Sequence, residues 1–192
     1  MNYKNYQKSR NATWQMLIDL GIKELPIKTT DLCRRIGVSV KVAELDPDVD
    51  GYTTTINEIP TIIVNSLKLE NHARLRFTVA HEIGHILLGH VGIYDLVHRN
   101  PFDEQTEHER EANVFASRLL APACVLWGCG VQSPEQIIQL CDISYQAAQF
   151  RWERMKVLYE RNKFLTSPLE KQVYEQFKPF VLKWLLGKKE GF

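Results

Sequence analysis

The sequence predicts an α+β fold: a small antiparallel sheet packed on two helices, followed by an all-helical C-terminal subdomain. Three observations carry that expectation. Residues 77–88 form a long apolar helical segment interrupted by His81-Glu82-Ile83-Gly84-His85. Two β-rich runs, residues 52–56 and 60–64, precede it. After Pro122 every patterned stretch has helical period. The expected division is a first domain over residues 1–125 and a helical subdomain over 126–192.

Composition narrows the class. A chain of 192 residues makes one domain, or one domain with an appendage. Its formal net charge of +1 gives no electrostatic grip on nucleic acid or on an anionic membrane. The first residues, MNYKNYQKSRNATW, lack the apolar core of an export signal, and no run is long and apolar enough to span a bilayer. Cys33, Cys124, Cys129 and Cys141 show no C-x-x-C pairing. They read as reduced thiols in a cytoplasmic protein.

The elements follow in order. Residues 3–20 predict a helix burying Trp14, Met16, Leu17, Ile18 and Leu20 and stopped by Gly21. A second helix over 30–36 is capped by Thr29 or Thr30 and ended by Gly37, and 38–45 alternates as a strand. Asp46-Pro47-Asp48-Val49-Asp50-Gly51 is an acidic, turn-rich loop. It lacks the twelfth-position glutamate of a calcium loop and reads as solvated. Runs 52–56 and 60–64, separated by Asn57-Glu58-Ile59, have a hairpin signature.

The helix over 71–90 carries the chemistry. His81 and His85 are one turn apart on one face, the spacing at which two imidazoles reach one Zn²⁺ at about 2.0–2.1 Å. Glu82 sits about 100° further round, where a general base for the metal's water belongs. Burying two imidazoles and a carboxylate among apolar neighbours is costly unless something pairs them, and a metal does so. A catalytic zinc keeps three protein ligands. His90, about 140° from His85 if the helix continues, does not qualify and reads as a helix-end residue near the dipole or lining the cleft.

The third ligand is sought in residues 107–120, a helix whose buried stripe is Ala112, Phe115, Ala116, Leu119 and Leu120. Glu109 falls inside that stripe and is named as the ligand. Glu111 falls at its margin, where a solvated ion pair with Arg118 explains it, and stands as the fallback. Asn113, one turn from Glu109, is placed to hold a ligating histidine from behind. The loop between the two helices, roughly residues 91–106, has to cross the mouth of the cleft. Its Tyr94 and His98 are candidates for oxyanion stabilisation, with ordinary exposed loop residues as the plainer reading.

Pro122 stops the second helix. Ser133-Pro134 opens a helix to Leu140, and Ser144 starts another across a tight turn. The pair resembles a helix-turn-helix unit. Gln146, Gln149 and Arg151 would be its base-reading residues, but Glu135, Asp142 and Glu153 interrupt any basic stripe, so direct DNA contact is not expected. Ser167-Pro168 opens a last helix with Tyr174, Phe177, Phe180, Val181, Trp184 and Leu185 on one face. That face packs back on the body or mediates self-association.

Arg76-Phe77-Thr78-x-Ala80-His81-Glu82-x-Gly84-His85, with Glu109-x-x-Ala112-Asn113-x-Phe115-Ala116-x-x-Leu119-Leu120-x-Pro122, resembles the ImmA/IrrE family of metallopeptidases over roughly residues 20–125. Ala121 stands where methionine is common, a packing difference. The resemblance implies a cytoplasmic, gluzincin-like zinc metallo-endopeptidase. Its substrate would be a helix-turn-helix transcriptional repressor, as for an anti-repressor of a phage or mobile element. It maps the ligands onto His81, His85 and Glu109, and the catalytic glutamate onto Glu82. In that layout an exposed sheet edge, here Thr53 to Thr55 or Thr61 to Val64, binds substrate as an added strand. The alternative is a metal-containing regulator that inactivates its repressor by docking, without proteolysis.

Overall fold

The computed structural model describes residues 2–90 and 106–189 of the 192-residue chain. It divides into two compact units, one of Met1–Ala12 with Lys28–Ala116, the other of Thr13–Ile27 with Ser117–Phe192. Helices α1 (Tyr3–Asp19) and α4 (Glu107–Leu120) contribute to both.

The first unit holds α2 (Thr29–Arg35), strands β1 (Ser39–Ala43), β2 (Gly51–Ile56) and β3 (Ile59–Asn65), a 3-10 turn at Ser66–Lys68, and α3 (His72–Leu88). The α+β class is as the sequence indicates. The hairpin is antiparallel and closes on two residues, Asn57 and Glu58, both at positive φ (50° and 66°), the conformation of a type I′ turn. The sheet itself is mixed, a correction to the antiparallel expectation. Its order is β1-β3-β2, with β1 parallel to β3.

The reason is visible in the loop after β1. To reach β2 the chain must pass around the end of β3, and Asn65 pins it there. Its Nδ2 donates to Leu45 O, Asp46 O and Val49 O (3.3, 3.0 and 2.7 Å), while Oδ1 accepts from Leu45 N and Leu67 N. Asn65 is 1% exposed, so one buried amide satisfies five backbone groups. The acidic loop is therefore anchored, and Asp50 pairs with Lys68 (2.7 Å) and Arg74 (2.9 Å). Burial opposes the Asp50 charge, but those two cations outweigh it and hold its carboxyl below the usual range.

In the ladder, Ile56 and Ile59 flank the two-residue turn as a hydrogen-bonded pair, so Thr55/Pro60 and Thr53/Ile62 are non-hydrogen-bonded pairs. Pro60 thus turns its missing donor away from β2, at a point before β1 begins to pair. By the same alternation the backbone N–H and C=O of Thr53 and Thr55 point to the open side of β2. Among the described residues no strand pairs with that side. Thr61 to Val64, offered as a second candidate edge, lie in the central strand and are paired on both sides.

Helix α3 lies against β2 and β3. Asn71 caps it by accepting from Arg74 N, and Thr78 to Gly84 are buried along it. Its apolar cover is incomplete, since Leu87 is 43% exposed. The end of α3 is a Schellman turn: Gly89 adopts φ +77°, and His90 N donates back to His85 O at 2.9 Å.

In the second unit, α5 (Ala123–Gly128), α6 (Pro134–Cys141), α7 (Tyr145–Glu160) and α8 (Pro168–Lys189) follow one another. Ser133 and Ser144 cap α6 and α7 as expected, accepting from Gln136 N and Ala147 N. The buried face of α8 (Val173, Phe177, Val181) packs in its own unit, where α8 meets α5, and Gln176 donates to the carbonyls of Leu17 and Ile22. The four cysteines are buried and none forms a disulfide, and burial pushes the Cys33 and Cys124 thiols up to about 12. No helix among the described residues is long and apolar enough to cross a membrane.

Candidate metal centre

The centre lies within the first unit, where α3 and the first half of α4 approach closely. Gly84 makes that approach workable: a Cβ placed on it would stand 3.1 Å from Phe115 Cδ1 and 3.3 Å from Ala112 Cα. The closeness brings Glu109, one turn before Ala112, opposite the two histidines of α3.

Three donor groups converge. His81 Nε2 and His85 Nε2 are 2.9 Å apart. Glu109 straddles them, Oε2 at 3.2 Å from His81 Nε2 and Oε1 at 3.3 Å from His85 Nε2. Tetrahedral ligation at about 2.0–2.2 Å from a Zn²⁺-sized ion sets donor atoms roughly 3.3 Å apart, so these spacings fit one ion with little adjustment. Among the described residues this is the group of histidines and carboxylates arranged to hold a metal. Sequence reasoning named the same three residues.

The surroundings define the donors. Asn113 Oδ1 lies 3.0 Å from His81 Nδ1, so that nitrogen carries the proton and Nε2 presents its lone pair inward. Asn113 thus occupies the place the sequence indicated. Glu82, 2% exposed, faces β2, and Thr53 Oγ1 donates to its Oε2 at 2.8 Å. The edge strand of the sheet is therefore joined by a hydrogen bond to the carboxylate beside the histidine pair. Tyr94 and His98, and nearly all of the loop meant to cross the cleft, lie outside the described residues.

His90 sits at the helix end, where Gly89 reverses the chain and folds its ring back against His85, with the two Nδ1 atoms 3.1 Å apart. The reading of Glu111 needs correction. Glu111 is not in a solvated pair with Arg118. It is 4% exposed, its Oε2 lies 3.0 Å from His90 Nε2, and Arg118 donates to Ser117 Oγ. Nor is Glu111 a member of the group that could hold a metal, which has Glu109 as its carboxylate. Burial lowers the His90 pKa below its ordinary value against the opposing pull of Glu111, and His108 packs beside its ring at 4.5 Å. The sequence signal for this was Leu88-Gly89-His90, a helix-ending glycine with a histidine just beyond it.

Among protein families, the model of Peptidase M78, described as an IrrE N-terminal-like domain, matches residues 33–153. A comparison with curated proteins finds no match.

Proposed function

The chain belongs to the Peptidase M78 family of IrrE N-terminal-like domains, and from that premise we propose that it is a cytoplasmic zinc-dependent endopeptidase acting on a protein substrate, a helix-turn-helix repressor. The observation that carries the reading is the convergence of His81, His85 and Glu109 beside a buried Glu82.

His81, His85 and Glu109 would hold the ion. When bound, Zn²⁺ supplies Lewis acidity, polarising a peptide carbonyl and bringing the pKa of water to near 7. The residues do the rest. Glu82 takes the proton of the attacking water on its carboxylate and returns it to the leaving amine, with Thr53 fixing the carboxylate's orientation. Substrate lies extended along the open side of β2, where the outward backbone groups of Thr53 and Thr55 offer main-chain hydrogen bonds. That places an added strand next to the residue that moves the proton.

The test mixes the metal-loaded protein with the helix-turn-helix repressor encoded beside it and identifies fragments by mass. Wild type should cut, and Glu82→Gln should keep its metal and fold but not cut. Normal cleavage by Glu82→Gln removes the assignment of the base. A repressor that is bound but left intact by wild type would favour inactivation by docking.

A further inference from the structure

Behind His85, on the side away from Glu109, a second set of buried groups forms a line. His90 Nδ1 is 3.1 Å from His85 Nδ1, and His90 Nε2 is 3.0 Å from Glu111 Oε2. His90 and Glu111 are each 4% exposed. The direction of these bonds follows from donor chemistry. A carboxylate only accepts, so His90 Nε2 carries a proton. Neutral His90 then has a bare Nδ1, which accepts only if His85 Nδ1 donates. His85 Nδ1 therefore bears its ring's proton, and His85 Nε2 is left as a lone pair pointing at Glu109.

We infer that Glu111 and His90 are positioning residues that form a carboxylate–histidine–histidine relay, which locks His85 in the tautomer that leaves its Nε2 free to bind a metal ion. The inference rests on reading His85 as a metal ligand. His81 is held by a single neutral amide, Asn113, whereas His85 is backed by a full negative charge passed through an imidazole. The two ligands are thus supported unequally, and the carboxylate side polarises the bonds of the line. Gly89 is part of the device, since its left-handed φ of +77° is what returns His90 to its position against His85.

The test is metal affinity, measured by competition of the purified full-length protein with a chromophoric chelator for Zn²⁺, alongside unfolding of the metal-free form. Glu111→Gln keeps shape and one acceptor but removes the charge, and His90→Phe keeps the ring but breaks both bonds. Each should weaken Zn²⁺ binding by about 10–100-fold, the range for groups that support a ligating histidine. His90→Gln offers an acceptor to His85 and a donor to Glu111, and should recover part of the loss. A merely structural role would not produce that order. In the double variant Glu111→Gln with His90→Phe, the loss should be no greater than for the worse single, because the two act in series. Affinity within twofold of wild type in either single, or strictly additive losses, overturns the relay. Failure of wild type to bind Zn²⁺ at all would instead overturn the reading of His85 as a ligand, so the two failures are distinguishable.

Discussion

Replacing Gly84 with alanine perturbs the contact that brings the third metal ligand to the first two. The added methyl would meet Phe115 Cδ1 at 3.1 Å, Phe115 Cβ at 3.2 Å and Ala112 Cα at 3.3 Å. Ordinary carbon contacts lie at about 3.5–4.0 Å, so α4 must retreat by a few tenths of an ångström. Phe115 and Ala112 are fully buried, and the Ala112 contact is backbone, which cannot rotate aside. Alanine gains about 1 kcal/mol of helix propensity over glycine. Over-packing costs typically about 1–3 kcal/mol, which leaves the metal-free protein destabilised by about 0–2 kcal/mol. Metal binding should suffer more. Ligand distances are tolerant to about 0.2 Å, and Glu109 rides on α4 one turn from Ala112, so Zn²⁺ affinity should fall about tenfold or more. Denaturant unfolding of the metal-free variant and chelator competition measure the two effects. A Gly84→Ala protein about 1 kcal/mol more stable than wild type, with unchanged affinity, would show that the helices do not need this approach.

Two further substitutions test the surroundings of the centre. Thr53→Val removes the hydroxyl that donates to Glu82 at 2.8 Å while keeping side-chain volume and strand preference. A hydrogen bond to a charged group contributes about 1.5–3 kcal/mol, so kcat should fall at least tenfold with KM nearly unchanged, and Thr53→Ser should restore it. Equal kcat for Thr53→Val would mean the bond does not orient the base. Asp50→Asn breaks the pairs with Lys68 and Arg74 and should cost about 1 kcal/mol at pH 7 and low salt, given that partly exposed pairs are each worth about 0.2–1 kcal/mol. Against the opposing effect of burial, the Asp50 carboxyl is held below its ordinary value by Lys68 and Arg74. Its stabilisation is therefore complete above that value and is lost as pH falls through the lower folded-state pKa. Wild type and Asp50→Asn should converge in thermal stability there, and a difference that persists at the acid limit would refute the ionic origin.

The helices were legible where periodicity and chemistry agreed. His81, Glu82 and His85 share a segment whose pattern is unambiguous, and the Ala112–Phe115–Ala116 stripe gave the face of α4 that carries Glu109. His90 was placed at the helix end and stands outside the metal group, but its contact with His85 was hidden because the angular reckoning ran the helix past its own stop. Once Gly89 turns left-handed, 100° per residue no longer applies, and the neighbour of His85 is set by the turn instead. Glu111 was misplaced for a separate reason: about 100° per residue set it at the margin of the α4 stripe near Arg118, whereas it is buried against His90 at 3.0 Å. The parallel pairing of β1 was hidden for a different reason. Strand patterns report which residues face a core, and they do not report which edge a strand joins. Here that choice belongs to the loop gathered around Asn65, four of whose five side-chain hydrogen bonds reach back 16 to 20 residues, beyond any local window.

The central claim is that one divalent ion sits among His81, His85 and Glu109. Crystals grown with Zn²⁺ and measured on both sides of the zinc absorption edge address it directly. One strong anomalous peak per chain is expected, at about 2.0–2.2 Å from His81 Nε2, His85 Nε2 and a Glu109 oxygen. A peak coordinated by Glu111 in place of Glu109, or no peak between α3 and α4, would contradict it.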